Sequence, residues 1–562
     1  MYKNWNLQSL FSISDNFLEL QSYLEDLDYK YDTFSEQLDN LNQIQIKETQ
    51  LIDLLTKEQN LFLQLGTANS YLECCEFMDI VENKIESLKN FSSKIYLKKV
   101  ETSLFIDYLI NNLNIRLIDK DNIQYYKKRK NGINTKEISS PYKINLLNIF
   151  FSAEIKSWEE MYLKLFMHTN KEINQLKHDL KNFDFSNRVS IFRKNEDLFA
   201  NILNNFARHR LNIYKNFNKK NILEESLVTF NKMEESTLWC MLNVLNNNII
   251  NLQKYIKFKQ RFLNLNALNW EELYLPLSST SNHLDKEETL KLIQETIQEF
   301  DYDFYSFLEN YIKNDYIILE NNPSKKQTAI TINFAYKNQS RIYINSPNEE
   351  LILNLAHELG HAYHFHKINQ MPILSRDYSL AISEAVAMFI ELLVSEKLIN
   401  IANDKNTRIY HLSKKIQGNG FFLLDSYSKF LFEYEIYQIR KNKNLNAEHL
   451  NALMKNIHKN IFGIEGNPLL WCSNPHFYKS SVPFYNYPYI FGCIVSNFFL
   501  HEYRKNKKLF MQRLNELLIK SGTENIENIF FEIFDIKLNS EELWEIGLQL
   551  VQDDIEYLIS LN

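Results

Sequence analysis

The chain contains 562 residues with a formal net charge of −7, and only 10 glycines and 9 prolines interrupt it. So few backbone breakers exclude collagen-like, proline-rich and low-complexity classes, and they argue against a sandwich or barrel, which needs frequent turn residues. A bulk nucleic-acid binder would be basic, so no nucleic-acid partner is expected. This length and composition predict a mainly α protein with two or more lobes.

The cysteines and the hydropathy pattern predict a cytoplasmic protein. Five cysteines without a CxxC pair favour free, mostly buried thiols over a disulfide framework or a structural zinc site. The N-terminal segment lacks the basic and apolar parts of a signal peptide. The most apolar stretch, Ala385 to Val394, is interrupted by Glu391, so no membrane span is expected.

Helical periodicity dominates the first half of the chain. Apolar residues recur at three- and four-residue steps from Asn16 to about Ile118, which predicts successive amphipathic helices. The polar stretch from Asp119 to Tyr142 is predicted to be a loop. Helical patterning resumes at Leu146 and continues to about Leu263, with interruptions near Asp184 and Asn216.

The periodicity changes to that of strands near the middle of the chain. Gln327 to Phe334 and Arg341 to Asn345 alternate polar with β-branched or aromatic residues, which predicts a small antiparallel hairpin. The sequence from Ser346 to Glu349 has the pattern of a capping box with Pro347 at the first helical position, so a helix is predicted to begin there.

That helix carries an HExxH motif, formed by His357, Glu358 and His361. Residues four apart share a helical face, so the two imidazoles can bind one metal ion. Glu358 lies about 100° round the helix, where it can reach a water at the metal. Gly360, inside the motif, predicts close backbone packing beside the metal. The alternative is an amphipathic helix that carries two surface histidines.

A third metal ligand is predicted on the next helix. A metzincin-type third histidine would fall at position 367, which is Lys367, so that class is excluded. Glu384 stands in an otherwise apolar helix of about residues 379–398, where an unpaired carboxylate is costly, and it is the expected third ligand. The alternative role for Glu384 is an ion pair with a buried cation. Glu391 shares its face and could orient a ligand histidine or be a solvated residue, and His364 and His366 are interpreted as flanking residues or substrate contacts.

A downstream segment is rich in ring and phenol donors. It holds His476 and four tyrosines, namely Tyr478, Tyr485, Tyr487 and Tyr489. Peptide hydrolysis develops an oxyanion at the attacked carbonyl, and fixed hydrogen-bond donors stabilise it. The alternative is an aromatic core segment.

Taken in chain order, these three segments resemble the M3 metallopeptidases and most closely the oligoendopeptidase F branch. That family shows HELGH with a His-containing continuation, here HELGHAYH, and then two glutamates seven residues apart, matching Glu384 and Glu391. A PHFY…FYxYxYxxG segment follows, matching Pro475 to Gly492, and 267–498 is the part of the chain that resembles the family best. The chain departs from the family in lacking glycine from Ser324 to Ser340 and in a longer connection after His476.

The resemblance implies a mainly α fold of zincin (gluzincin) type, with two helical lobes flanking a deep substrate cleft and a small antiparallel β element beside the HExxH helix. We expect an N-terminal helical domain, residues 1–187, and a catalytic M3-like domain, residues 188–562. One Zn²⁺ per chain is expected, with oligopeptides as substrates and a monomer or small homo-oligomer as the assembly.

The expected activity is a metalloendopeptidase, an oligopeptidase acting on short unstructured peptides. His357, His361 and Glu384 would hold the zinc, and Glu358 would be the general base and then the general acid. His476 with Tyr487 would stabilise the oxyanion; motif alignment puts Tyr487 first, with Tyr485 and Tyr478 as alternatives. The strand from Arg341 to Asn345 would hold the substrate backbone.

Two other classes of function are weighed against this one. The first is a non-catalytic helical scaffold or peptide-binding protein with a degenerate site, against which stands the presence of every expected site residue. The second is a protease that acts on a folded partner protein.

Overall fold

The fold is given by a computed structural model, which describes residues 5–12, 15–41, 48–78, 80, 83–112, 141–179, 185–216, 221–278, 284–322, 325 and 328–561. Within these residues the chain is mainly helical with one small sheet, as the sequence predicts. The predicted loop from Asp119 to Tyr142 falls almost wholly outside them. The helix after it begins at Pro141, five residues earlier than the pattern predicts.

The elements of the first half of the chain are α1 (Leu18–Asp39), α2 (Glu48–Phe77), α3 (Asn83–Asn112), α4 (Pro141–Asp179), α5 (Phe185–Lys194), α6 (Glu196–Asn216), α7 (Glu235–Phe262), α8 (Lys286–Phe300), α9 (Tyr302–Lys313), β1 (Ile317–Glu320), β2 (Thr328–Phe334) and β3 (Gln339–Asn345). Those of the second half are α10 (Asn348–Ile368), α11 (Leu380–Ile401), α12 (Lys405–Ile416), α13 (Phe422–Arg440), α14 (Ala447–Phe462), α15 (Leu470–Ser473), α16 (Tyr487–Lys505), α17 (Lys507–Lys520), α18 (Ile526–Phe534) and α19 (Glu542–Ser560). Short π-helical turns at Glu225–Asn231 and Gln417–Phe421 and 3-10 turns such as Pro475–Tyr478 connect them.

These elements form two compact units. Unit 1 comprises residues 1–146, 281–397 and 502–535, and unit 2 comprises residues 147–280, 398–501 and 536–562. Each unit is built from three separate stretches of the chain, whereas the sequence predicts two domains that meet at a single boundary between residues 187 and 188. That domain boundary stays a prediction. In the described part of the chain, none of the helices has the length and apolar character needed to cross a membrane. None of the five cysteines, all of which lie in the described residues, forms a disulfide.

The sheet of unit 1 is mixed, in the order β1-β3-β2. The predicted hairpin is confirmed, since β2 pairs antiparallel with β3 from Thr328↔Asn345 to Phe334↔Gln339. The third strand, β1, pairs parallel with β3 and was not predicted, because its four residues are too short to show an alternation. Since β3 has a strand on each side, the prediction that Arg341 to Asn345 holds a substrate by strand addition is wrong.

The two faces of the sheet have different neighbours. Side chains alternate between the faces along a strand, and Ile332, Phe334 and Tyr343 join the apolar core of α1 to α3. Thr331, which pairs with Ile342, lies on the opposite face and bonds α10. The sheet therefore supports the helix that carries the HExxH motif.

Helix α10 begins one residue later than predicted. Its N-cap is Pro347, which makes no side-chain cap hydrogen bond, and the Ser346 hydroxyl is buried without a hydrogen-bond partner. The predicted Ser346 cap is therefore wrong, although the helix itself is confirmed. Its residues Leu355, Ala356 and Leu359 are fully buried, so packing rather than a cap fixes its position.

Candidate metal centre

The HExxH helix α10 and the following helix α11 touch through their backbones. A β-carbon built on Gly360 would lie 2.6 Å from the Cα of Ala387, a distance that side chains do not reach. Glycine is the residue that permits this approach. The contact confirms the predicted close packing at Gly360, and it brings Glu384 and Glu391 of α11 next to the two histidines.

The three predicted ligands converge. Ligand atoms of His357, His361 and Glu384 all lie within 4.8 Å of one another. The two carboxylate oxygens of Glu384 are 3.5 Å from His357 Nε2 and 3.8 Å from His361 Nε2. In a tetrahedral zinc site with bonds of about 2.1 Å, neighbouring ligand atoms are about 3.4 Å apart. Two imidazoles and a carboxylate at these distances therefore fit a zinc ion.

The remaining ring nitrogens of both histidines face α11. His361 Nδ1 is hydrogen-bonded to Ser383 Oγ at 2.9 Å, and His357 Nδ1 lies 3.4 Å from Glu391 Oε2. A partner at Nδ1 fixes the ring and leaves Nε2 to bind a metal. Glu391 is thus placed to orient His357. The sequence did not indicate Ser383, since a small hydroxyl beside Glu384 carries no distinguishing signal.

The two histidines differ in their electrostatics without metal. Burial lowers the pKa of both rings. At His357 the carboxylates of Glu384 and Glu391 outweigh burial and raise the pKa well above the ordinary value. At His361 burial prevails over the Glu384 charge and the pKa is lowered. The negative charge that could stabilise a bound cation therefore lies mainly beside His357.

The Glu358 carboxylate is held by the sheet. Glu358 is 6% exposed, and the Thr331 hydroxyl of β2 lies 2.7 Å from its Oε2 and 2.9 Å from its backbone carbonyl oxygen. Thr331 donates a hydrogen bond to this group, which restricts where the carboxylate can point. The sequence placed Thr331 in a strand but gave no sign of this contact, because it depends on how the strand and the helix pack.

The other histidines of α10 have structural partners. His364 is fully buried, and its Nε2 is hydrogen-bonded to Ser521 Oγ at 2.8 Å. Burial lowers the pKa of His364 to about 3, so the ring is neutral. Its interpretation as a substrate contact is therefore wrong. His366 is bonded to Gln370 at 3.0 Å.

The tyrosine segment belongs to unit 2. The half-buried Tyr485 ring lies 4.8 Å from the His476 ring, centroid to centroid. Burial lowers the pKa of His476 to about 4, and its Nδ1 is 3.0 Å from Asn486 Oδ1. Tyr487, in contrast, is fully buried, and its hydroxyl lies 3.1 Å from Ser226 Oγ and 2.8 Å from Asn231 Nδ2. Tyr478 is also buried, stacked on Tyr162 at 3.8 Å.

Several known proteins that are similar to this chain are named oligoendopeptidase F. No family model matches the sequence. The chain is 24% identical over 347 residues to an oligoendopeptidase F homolog of Borreliella burgdorferi, covering 59% of this chain and 58% of that protein. It is 22% identical over 594 residues to the plasmid oligoendopeptidase F of Lactococcus lactis subsp. cremoris, covering 97% and 91%.

A solved structure agrees with these relatives. The oligoendopeptidase F of Enterococcus faecium has a TM-score of 0.62 and 16% identity, covering 96% of this chain and 99% of that one. The likeness confirms the mainly α, zincin-like fold. The chain spans only about half the length of most of the curated relatives that it matches.

Proposed function

We infer that this chain, an oligoendopeptidase F-type member of the M3 peptidase family, is a zinc-dependent endopeptidase that hydrolyses internal bonds of short unstructured oligopeptides. The observation that carries the proposal is the convergence of His357, His361 and Glu384 beside a Glu358 that projects from the same helix. The Lactococcus and Borreliella relatives support the peptidase class.

His357, His361 and Glu384 would hold the zinc ion through Nε2 atoms and a carboxylate. When bound, zinc supplies a Lewis acid that makes water more acidic and polarises the scissile carbonyl. Ser383 and Glu391 keep the two imidazoles turned so that Nε2 faces the Glu384 carboxylate. Because a metal ion binds the neutral imidazole, zinc would take the place of the proton that the raised pKa of His357 otherwise keeps on that ring.

Glu358 would move the protons of the reaction. Its carboxylate accepts a proton from the attacking water and then returns it to the nitrogen of the leaving amine. The hydrogen bond from Thr331 reaches one carboxylate oxygen, Oε2. The other oxygen, Oε1, is then left for the proton transfer.

Strand β2 would hold the backbone of the substrate. Among the strands of the described residues, β2 pairs with β3 alone, and Thr328 to Thr331 are half-buried. At its far end the Asn333 carbonyl accepts a hydrogen bond from Ser70 of α2. An extended peptide adding to the first residues of β2 would be bound by its main chain near Glu358, which tolerates varied sequences.

For His476 and the tyrosines we retain the role predicted from the motif, hydrogen bonding to the carbonyl oxygen of the substrate. The contacts favour Tyr485 over Tyr487, because the Tyr487 hydroxyl is buried and engaged with Ser226 and Asn231. Free cysteines suit a reducing compartment, so we propose that the substrates are cytoplasmic peptides.

Peptide turnover by the purified zinc-loaded chain tests this proposal. Chelation should abolish cleavage of a quenched peptide, and added zinc should restore it. Glu358→Gln should keep the bound zinc and lower kcat by about 10²–10⁴-fold. A series of quenched peptides should show cleavage that declines as the substrates become long or folded. Wild-type turnover by Glu358→Gln would refute the mechanism.

A further inference from the structure

The segment 479–486 of unit 2 has an unusual backbone conformation. It joins the 3-10 turn Pro475–Tyr478 to α16 and carries Tyr485. Phe484 has a φ of 53°, in the left-handed region that non-glycine residues adopt only when their surroundings hold them there. Its buried ring packs against Tyr437 at 5.4 Å between centroids. The conformation of this segment is therefore imposed by its contacts.

One of these contacts is a buried arginine. Arg210 of α6 is 2% exposed, and its Nη2 donates hydrogen bonds to the carbonyl oxygens of Lys479 at 2.8 Å and Ser480 at 3.1 Å. Glu159 of α4 accepts a hydrogen bond from the backbone nitrogen of Ser480 at 3.1 Å. Ser480 is thus held through both its N–H and its carbonyl group, and Lys479 through its carbonyl group.

A buried glutamate holds the other end. Glu433 of α13 is 4% exposed, and its Oε1 accepts a hydrogen bond from the backbone nitrogen of Phe484 at 3.0 Å. The charged and titratable groups that act on it are Arg210 and Tyr437, which in turn face Tyr214 and Glu225. A buried carboxylate in this position is stable only with such partners.

The pair assigned above to the substrate flanks these anchors, with His476 before Lys479 and Tyr485 directly after Phe484. Asn486 Oδ1 is 3.0 Å from His476 Nδ1, and the Tyr485 ring lies beside the His476 ring. The Lys479 ammonium is 3.5 Å from the centroid of the Tyr485 ring. A shift of the backbone at Lys479 or Phe484 would therefore move Tyr485 relative to His476.

We propose that Arg210 and Glu433 form a clamp on the backbone of residues 479–486, which positions Tyr485 beside His476 for substrate binding. The assignment rests on the proposed peptidase function. Both clamp residues are positioning residues, since they act through the segment that they bind.

A double-mutant cycle between the clamp and Tyr485 tests the proposal. Glu433→Leu removes the acceptor for Phe484, Glu433→Gln keeps one, and each is combined with Tyr485→Phe. We expect Glu433→Leu to lower kcat/KM by about tenfold or more, but by less than about threefold when Tyr485 is already Phe. Glu433→Gln, which keeps the acceptor, should by contrast leave kcat/KM within about threefold of the wild-type value. Asn204→Ala is the matched control, since Asn204 lies on α6 with Arg210 but bonds Leu445.

Hydrogen exchange gives a readout that does not need turnover. In the wild-type chain the Phe484 amide should be protected, and Glu433→Leu and Arg210→Lys should each speed exchange in the segment while Asn204→Ala does not. If Glu433→Leu does not fold, Arg210→Lys with Tyr485→Phe supplies the cycle. Equal losses of kcat/KM in both Tyr485 backgrounds, or a Phe484 amide that exchanges like a free peptide, would overturn the clamp. A protected segment in a chain without peptidase activity would instead refute the proposed function.

Discussion

Gly360 of α10 lies against the backbone of Ala387 of α11, so closely that an added β-carbon would be 2.6 Å from the Ala387 Cα. We therefore predict that Gly360→Ala pushes the two helices apart and separates His357 and His361 from Glu384. Overpacking of this kind costs about 1–3 kcal/mol, which exceeds the helix propensity that alanine gains. The variant should show a lower melting temperature and reduced zinc content by mass spectrometry.

The matched control for this prediction is Gly66→Ala. Gly66 lies inside α2, and a β-carbon there would meet nothing within 4 Å. The same substitution should therefore be neutral or stabilise the chain by up to about 1 kcal/mol. Equal melting temperatures for the two variants would show that the Gly360 contact does not matter.

The partners of the histidine Nδ1 atoms should set the zinc affinity. Ser383→Ala and Glu391→Gln leave the three ligands in place but remove the hydroxyl bonded to His361 and the negative charge beside His357. Each should weaken zinc binding by about 10–100-fold, measured by competition with a chromophoric chelator. The control is Glu396→Gln. Glu396 lies on α11 like Ser383 and Glu391 but pairs with Arg504, so this change should leave the zinc affinity unchanged. Unchanged affinity in Glu391→Gln would make Glu391 a solvated residue instead.

The hydroxyl of Thr331 should affect turnover rather than binding. Thr331→Val keeps the shape of the side chain and removes the hydrogen bond to Glu358. We expect kcat to fall by about tenfold, because Glu358, the proposed general base, loses its fixed orientation, while KM and zinc content change little. Thr331→Ser keeps the donor and should retain most of the activity. A fall in kcat of the same size in Thr331→Ser would rule out the hydrogen bond as the cause.

The local parts of this site could be predicted from the sequence. His357 and His361 are four residues apart on one helix, and Glu384 is a carboxylate in an apolar helix, so each signal lies within one element. The contacts between elements could not be predicted in this way. Thr331 reaches Glu358 only because β2 pairs with β3 in a register that places Thr331 on the face of α10. The four-residue β1 likewise has no periodicity of its own to indicate it.

The tyrosines show the same limit. Motif alignment ranks Tyr487 above Tyr485, and only the packing shows that Tyr487 is buried while Tyr485 is half-buried. We predict that Tyr485→Phe lowers kcat by about tenfold or more with an unchanged melting temperature, because it removes the proposed donor to the oxyanion. Tyr487→Phe should instead lower the melting temperature, since Ser226 and Asn231 lose a buried partner. The opposite pattern would return the oxyanion role to Tyr487.

The buried carboxyl of Glu433 should make stability depend on pH. Burial raises its pKa from 4.5 to about 7, against the hydrogen bond from Phe484 and the charge of Arg210, which lower it. Between these two values the folded chain holds a proton that the unfolded chain has released. The contribution of Glu433 to the free energy of unfolding is therefore full below pH 4.5 and is lost as the pH rises through 7. The total loss is about 3 kcal/mol.

Glu433→Gln removes this titration while keeping an acceptor for the Phe484 amide. The difference in melting temperature between the variant and wild type should therefore shift in favour of the variant as the pH rises from 5 to 8. Scanning calorimetry across that range measures the difference. The control is Glu435→Gln on the same helix, which also removes a carboxylate but not one that bonds Phe484. Parallel curves for wild type and Glu433→Gln would mean that the Arg210 charge keeps Glu433 ionised throughout. The segment that carries Tyr485 would then be held by an ionised carboxylate stabilised by the Arg210 charge.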